Sequence, residues 1–251
     1  YIHRLLARLL GVVFLLPFLW FLARRTLARE LAWKLAGIFL LGGLQGAMGW
    51  YMVASGLVDD PRVSQFRLTA HLTLAIVIFA AMLWVAMDIL SPVRSGAPAR
   101  VRGLSTAVVL LVFAMVVTGG LVAGTRAGKA YNTFPLMNGH LVPPEILMMD
   151  PWWMNFGYNM TAVQLDHRLI AWALIFTVPW LWWMVKRAAP LRATAIAAHA
   201  LLAALALQVA LGISTLLLQV PVVLGVAHQG GAVVVLAAAL WLRHALRAGG
   251  G

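Results

Sequence analysis

Histidine is the residue type in this chain best suited to do chemistry, and four of its seven histidines stand at matching places in a twice-repeated pattern. His3 and His167 each open an apolar stretch with the same run, His-Arg-Leu, and His71 and His228 each lie near the start of the second stretch after that. Between them Leu44-Gln45-x-Ala47-x-Gly49 matches Leu207-Gln208-x-Ala210-x-Gly212, with Gln45 lying 42 residues after His3 and Gln208 41 after His167. Neutral imidazole is a common metal ligand and a common axial ligand of haem iron. Two pairs of imidazoles at equal depth in a helical bundle therefore point to two metal or haem sites.

The elements that must position these histidines are membrane helices. Of 251 residues 63% are hydrophobic and 10% charged, and the charges cluster between long apolar runs. Seven runs approach or exceed the roughly 20 residues that cross a bilayer as helix, at about 2–23, 35–57, 68–90, 104–123, 167–185, 193–218 and 222–242. They are continuous and rich in Leu and Ala rather than alternating, which excludes barrel strands. The expected fold class is an all-α membrane protein of two pseudo-symmetric four-helix bundles. Residues 1–103 form the first half and 104–251 the second, with an outer loop at 125–166. That loop is broken by Pro135, Pro143, Pro144 and Pro151 but kept apolar by Trp152 and Trp153, which fits an interfacial anchor and a functional lid equally well. The repeat predicts a counterpart of the 104–123 run upstream of Tyr1, giving four spans per half. No signal-peptide pattern is visible.

A net charge of +12 raises the question of a nucleic-acid partner, and its distribution answers it. Arg24, Arg25, Arg29 and Lys34, then Arg94, Arg100 and Arg102, then Lys186, Arg187 and Arg192, and finally Arg243 and Arg247 all fall on alternate links, whereas Asp59, Asp60, Glu145 and Asp150 fall on the facing ones. This is the positive-inside bias of a bacterial inner-membrane protein. The basic links face the cytoplasm, the repeat histidines lie toward the periplasmic face, and lipid is the partner rather than nucleic acid. With zero cysteines the chain has no disulfide, iron–sulfur cluster or thiolate zinc site.

An isolated histidine at a helix end is more often a satisfied interfacial residue than a ligand, and that reading applies to His140, His199 and His244. It does not suit four histidines placed by a repeat. Two histidines per site are too few for zinc without carboxylate or thiolate partners, and Asp166 beside His167 reads better as an acid favoured by a helix N-terminus. Haem needs two axial groups and a flat apolar slot. Gly225, Gly230 and Gly231 around His228 would supply flatness, while Gly42, Gly43, Gly46 and Gly49 read somewhat better as helix packing. Arg4 and Arg168 follow their histidines directly. They read equally as clamps on haem propionates and as side chains snorkelling to the interface. Arg8, one turn deeper, is harder to explain as an anchor. Repeat symmetry favours pairing His3 with His71 and His167 with His228, and the sequence leaves cross-half pairing open.

At these residues the chain resembles the heme A synthase family. The resemblance rests on Tyr1-Ile2-His3-Arg4-Leu5-Leu6-Ala7-Arg8, on Gly119-Gly120-Leu121-Val122-Ala123-Gly124, and on the loop run from Ala127 through Lys129, Tyr131, Asn132, Phe134 and Pro135 to Gly139. It continues through Val163-Gln164-Leu165-Asp166-His167-Arg168-Leu169 and Ala227-His228-Gln229. Absence of cysteine resembles the proteobacterial and mitochondrial branch. The resemblance implies eight helices in two bundles. The activity it implies is oxidation of the C8 methyl of haem O to the formyl of haem A, with oxygen from water by successive hydroxylations, for haem-copper oxidases.

It further implies haem b as cofactor, held by His167 and His228, with Arg168, Arg4 and Arg8 binding haem. Haem O is the substrate, bracketed by His3 and His71 as the catalytic pair, and haem A the product. All four histidines are metal-ligand positions. Haem O would come from heme O synthase, the electron acceptor is unspecified, and an oligomer is compatible with the pattern. The family carries a Glu three residues before its first histidine, which would precede Tyr1, and the second-half counterpart is the neutral Gln164. That asymmetry places the chemistry in the first half and electron storage in the second. The rival reading is a bis-histidine di-haem electron carrier of the cytochrome b561 type. A transporter built on repeats is a third, but it predicts broken helices and midplane charges, and apart from Arg8 none is evident.

Overall fold

The computed structural model describes residues 2–54, 63–90, 95–188 and 191–247. Tyr1, the end of the second apolar run at 55–57, Asp59, Asp60 and Arg94 lie outside these described residues. The chain is all-helical: α1 (Ile2–Ala23), α2 (Arg29–Ala54), α3 (Gln65–Leu90), α4 (Ala99–Thr125), the short α5 (Asn155–Tyr158), α6 (Met160–Ala188), α7 (Arg192–Leu217) and α8 (Val222–Ala245). All but α5 are long and apolar enough to cross a membrane. Helices satisfy every backbone group within themselves, which the hydrocarbon core demands, so a multi-pass helical membrane protein follows from composition and geometry together.

Helix α4 packs on α6, α6 on α7, α7 on α8, and α8 back on α4, closing a ring of four. Its centre is filled at helical spacing by Val101, Val108 and Val112 of α4, Leu174, Val178, Leu181 and Val185 of α6, Leu201 and Leu205 of α7, and Leu236 of α8. The remaining spans form an open series, α1 on α2, α2 on α3, and α3 against both α4 and α8. None of the residues of α1 is buried, and α2 buries only Ile38. Lipid tails are as apolar as leucine, so what holds such helices together is close packing. Glycines permit it along the α3–α4 seam. A side chain at Gly120 would stand 2.8 Å from Thr69 Oγ1, and one at Gly124 would stand 2.6 Å from the Cα of Gln65.

Several helices begin before their apolar runs, because a run records what lies in hydrocarbon whereas a helix starts at its cap. Asn159 Oδ1 accepts the Thr161 backbone N–H at 2.9 Å and starts α6 a full two turns before His167. His167 therefore does not open its helix. Asp166, for the same reason, is not a first-turn acid, which corrects the reading of it as a residue placed by the helix dipole.

At the opposite end of the bundle, His244 is 2% exposed, not an interfacial tail residue. Asp88 at the end of α3 accepts from His244 Nε2 at 3.1 Å and from Arg247 at 2.7 Å, and Trp84 meets the His244 ring edge-on. Backbone bonds from Ser95 to Ala245 and from Gly96 to Arg247 tie the same corner. Removing one member of a mostly buried ionic cluster strands the others, at a cost of about 3 kcal/mol. Asp88→Ala protein is therefore expected to melt well below wild type in detergent. An unchanged melting temperature would show that the corner adds nothing to stability.

Candidate functional site

Three of the four repeat histidines sit two turns into their helices, His71 in α3, His167 in α6 and His228 in α8. Of these helices α3 and α8 share their place in the repeat, and two of the three rings meet. His167 and His228 face each other across the interior of the closed ring, with ring centroids 6.5 Å apart and planes inclined at 71°. Two metal–nitrogen bonds of about 2 Å, plus about 1.1 Å from each nitrogen to its ring centre, would set the centroids roughly 6.2 Å apart. The gap thus fits a single metal ion between two imidazoles. Among the described residues no group of three or more His, Asp or Glu side chains gathers to hold a metal ion. The donor set is a pair.

The surroundings fix the rings. Thr118 of α4 donates its hydroxyl hydrogen to the Met115 carbonyl at 3.2 Å, which leaves its oxygen to accept from His167 Nδ1–H at 2.9 Å. That bond sets the tautomer and leaves the Nε2 lone pair for a metal. His228 is held through its backbone, whose carbonyl accepts from Gln208 Nε2 at 2.9 Å. Glycine lies beside each ring. A Cβ at Gly119 would stand 3.4 Å from His167 Cε1, and one at Gly212 only 2.9 Å from His228 Cε1. The glycine of the repeated Gln-x-Ala-x-Gly motif is thus a ring seat and its glutamine a backbone anchor, roles that matched spacing alone did not reveal. Thr118 also escaped sequence reasoning, since a threonine beside a Gly-Gly pair looks like packing.

The first half repeats part of this arrangement. Gln45 Nε2 donates to the His71 carbonyl at 3.1 Å, and a Cβ at Gly49 would stand 3.1 Å from His71 Cε1. His3, Arg4 and Arg8 are exposed on α1. The structure therefore brings His167 and His228 into ring contact, and among the described residues no such contact joins His3 to His71.

Arg168 does something that neither sequence reading of it described. Its guanidinium donates to the backbone carbonyls of Tyr131 at 3.1 Å, Thr133 at 3.0 Å and Pro135 at 3.3 Å. Buried Gln164 adds a bond from Nε2 to the Tyr131 carbonyl at 3.2 Å. Further straps run from Asn132 Nδ2 to the Leu216 carbonyl at the end of α7 and from Gln65 Nε2 to the Gly157 carbonyl. Phe134 stacks on Trp172 with centroids 6.0 Å apart. Fully buried Asn155 pins the loop from within, bonding Met149 and Trp152. The long loop is a folded cover strapped over the end of the bundle where the histidines lie.

Comparison with known proteins adds a family to this geometry. The family described as cytochrome oxidase assembly protein matches residues 1–240. The heme A synthase of Nitrosospira multiformis is 58% identical over 252 residues, covering 98% of this chain and 70% of that protein. That of Nitrosomonas eutropha is 53% identical over 96% of this chain and 69% of its own length. A third heme A synthase, from Parvibaculum lavamentivorans, is 42% identical over 97% of this chain and 70% of its own length.

Proposed function

The chain belongs to the heme A synthase family of cytochrome oxidase assembly proteins, and from that premise we propose that it oxidises the C8 methyl group of haem O to the formyl group of haem A with oxygen from water. The observation that carries the reading is the His167–His228 pair, 6.5 Å between ring centres and half-buried within a four-helix ring. In this proposal that pair holds a resident haem b, which supplies reversible one-electron storage. His3 and His71 bracket the substrate in the first half.

The chain's own residues divide the remaining work. Thr118 orients His167, Gln208 fixes the backbone at His228, and Gly119 and Gly212 keep the rings' edges clear. Arg168 and Gln164 hold the Tyr131–Pro135 cover in place and so exclude water from the site's outer mouth. In this reading Arg168 would also offer its charge to a haem propionate, as Arg4 and Arg8 would on the first-half side. Gln164 carries an amide, which neither takes nor releases protons near neutral pH, so the second half suits storage better than proton-coupled chemistry. The halves are residues 1–103 for substrate and 104–251 for haem b. The end bearing Arg24, Arg102, Arg187 and Arg243 faces the cytoplasm, and the histidines lie toward the periplasmic side of the inner membrane. Heme O synthase supplies the substrate, and a separate acceptor removes the electrons.

Haem extraction and mass analysis of the purified protein test the proposal. Haem O or haem A is expected beside haem b. Recovery of haem b alone, even from cells rich in haem O, would favour a di-haem electron carrier instead.

A further inference from the structure

We propose that Gln45 is a latch on the substrate's ligand: its side-chain amide competes for Nε2 of His71, making ligation in the first half exchangeable, while the equivalent Gln208 is held clear of His228. The inference rests on the assignment of substrate to the first half and resident haem to the second. It supplies the device by which two like pairs of histidines come to treat haem differently.

The geometry is symmetric up to one point. Gln45 Nε2 donates to the His71 carbonyl at 3.1 Å and Gln208 Nε2 to the His228 carbonyl at 2.9 Å. Gly49 and Gly212 seat the two rings alike. The halves then part. The Gln45 amide also reaches the ring itself, 3.4 Å from His71 Nε2, the nitrogen an iron would need. The amide nitrogen only donates, so in this contact His71 Nε2 accepts and the ring's hydrogen sits on Nδ1.

Three residues beyond each histidine the sequence differs, and the difference falls beside the glutamine. Gly231 follows His228, and a Cβ there would stand 2.1 Å from Gln208 Oε1 and 3.3 Å from its Cδ. The Gln208 amide therefore fills a recess that exists only because residue 231 has no side chain. The repeat puts Leu74 where Gly231 stands, and its side chain lines the α3–α4 seam with Phe66 and Val117. By that symmetry its Cβ takes the place of the recess, and the Gln45 amide lies at the ring. A substrate that must leave as product needs a ligand with an alternative partner waiting, whereas a resident cofactor needs the reverse. A long neutral hydrogen bond offers competition of the right size, about a fivefold change in an equilibrium, enough to favour turnover without abolishing binding.

The test follows haem leaving the purified full-length protein, loaded with haem O, for an excess of apomyoglobin. Wild type should show a fast and a slow phase, and His71→Ala should remove the fast one. Gln45→Leu, similar in size but without a donor, should slow the fast phase about fivefold. Leu74→Gly should slow it too, with Gln45 retained, because the amide can then withdraw into the recess as Gln208 does. Slower release is a gain of retention, which damage to the fold does not produce. Unchanged fast phases in both Gln45→Leu and Leu74→Gly would overturn the latch while leaving the proposed function intact. A single phase indifferent to His71→Ala would sink the two-site reading and the latch with it.

Discussion

Protein carrying His167→Ala or His228→Ala is expected to reach the membrane folded and to lack the low-spin haem b that the proposed function expects of the wild type. The size of the loss follows from what the pair provides. Partners that only orient a metal ligand are worth about 10–100-fold in affinity, so deleting the ligand itself should weaken binding by more than about 100-fold. Thr118→Val, which removes the acceptor of the His167 Nδ1 hydrogen but leaves both imidazoles, should fall within that 10–100-fold range. The fold should survive because the ring of α4, α6, α7 and α8 is packed by residues such as Val108, Val178, Leu201 and Leu236, and neither histidine belongs to that core. Absorbance spectra and haem content of the purified variants, beside their yield in the membrane fraction, make the measurement. Full low-spin haem in both alanine variants would refute the assignment.

What the sequence disclosed about this site, and what it withheld, divides along a physical line. Seven spans were legible because a bilayer imposes a length and a composition, and the helices obey both. The histidines stood out because a repeat of helices reproduces position, and His71, His167 and His228 each lie about two turns into their helices. Helix starts were less legible. The caps sit in polar sequence outside the apolar run, as Asn159 does ahead of α6. Contacts between distant segments left no periodic trace at all. Nothing in the sequence near Asp88 announces that its partners are His244 and Arg247. In the same way, nothing near Arg168 announces that it will gather three carbonyls of a loop more than thirty residues earlier. The Gln-x-Ala-x-Gly motif stands between these cases. Its repetition was plain, but its meaning required seeing the glutamine meet a backbone carbonyl one helix away and the glycine admit a ring.

The remaining large effect separates an enzyme from an electron carrier, and it exploits the inequality of the halves. The second half closes four helices around His167 and His228, whose rings meet nearly edge-on. In the first half the Gln45 amide reaches the His71 ring itself, whereas Gln208 meets only the His228 backbone. If both halves were relays, losing either pair of histidines would cut one path, with equal consequences. If the first half receives substrate, His3→Ala and His71→Ala should each reduce haem A formation by about 100-fold or more, the scale on which groups that position or polarise a reacting centre act. Haem b should meanwhile remain bound by His167 and His228, so the spectrum stays low-spin while the product disappears. The assay is the haem composition of cells that supply haem O and carry each variant, read together with the spectrum of the purified protein. Normal haem A from both His3→Ala and His71→Ala protein would sink the division of labour. A wild type that never converts haem O would point to the carrier, since bis-histidine pairs at one level are equally competent to pass electrons onward.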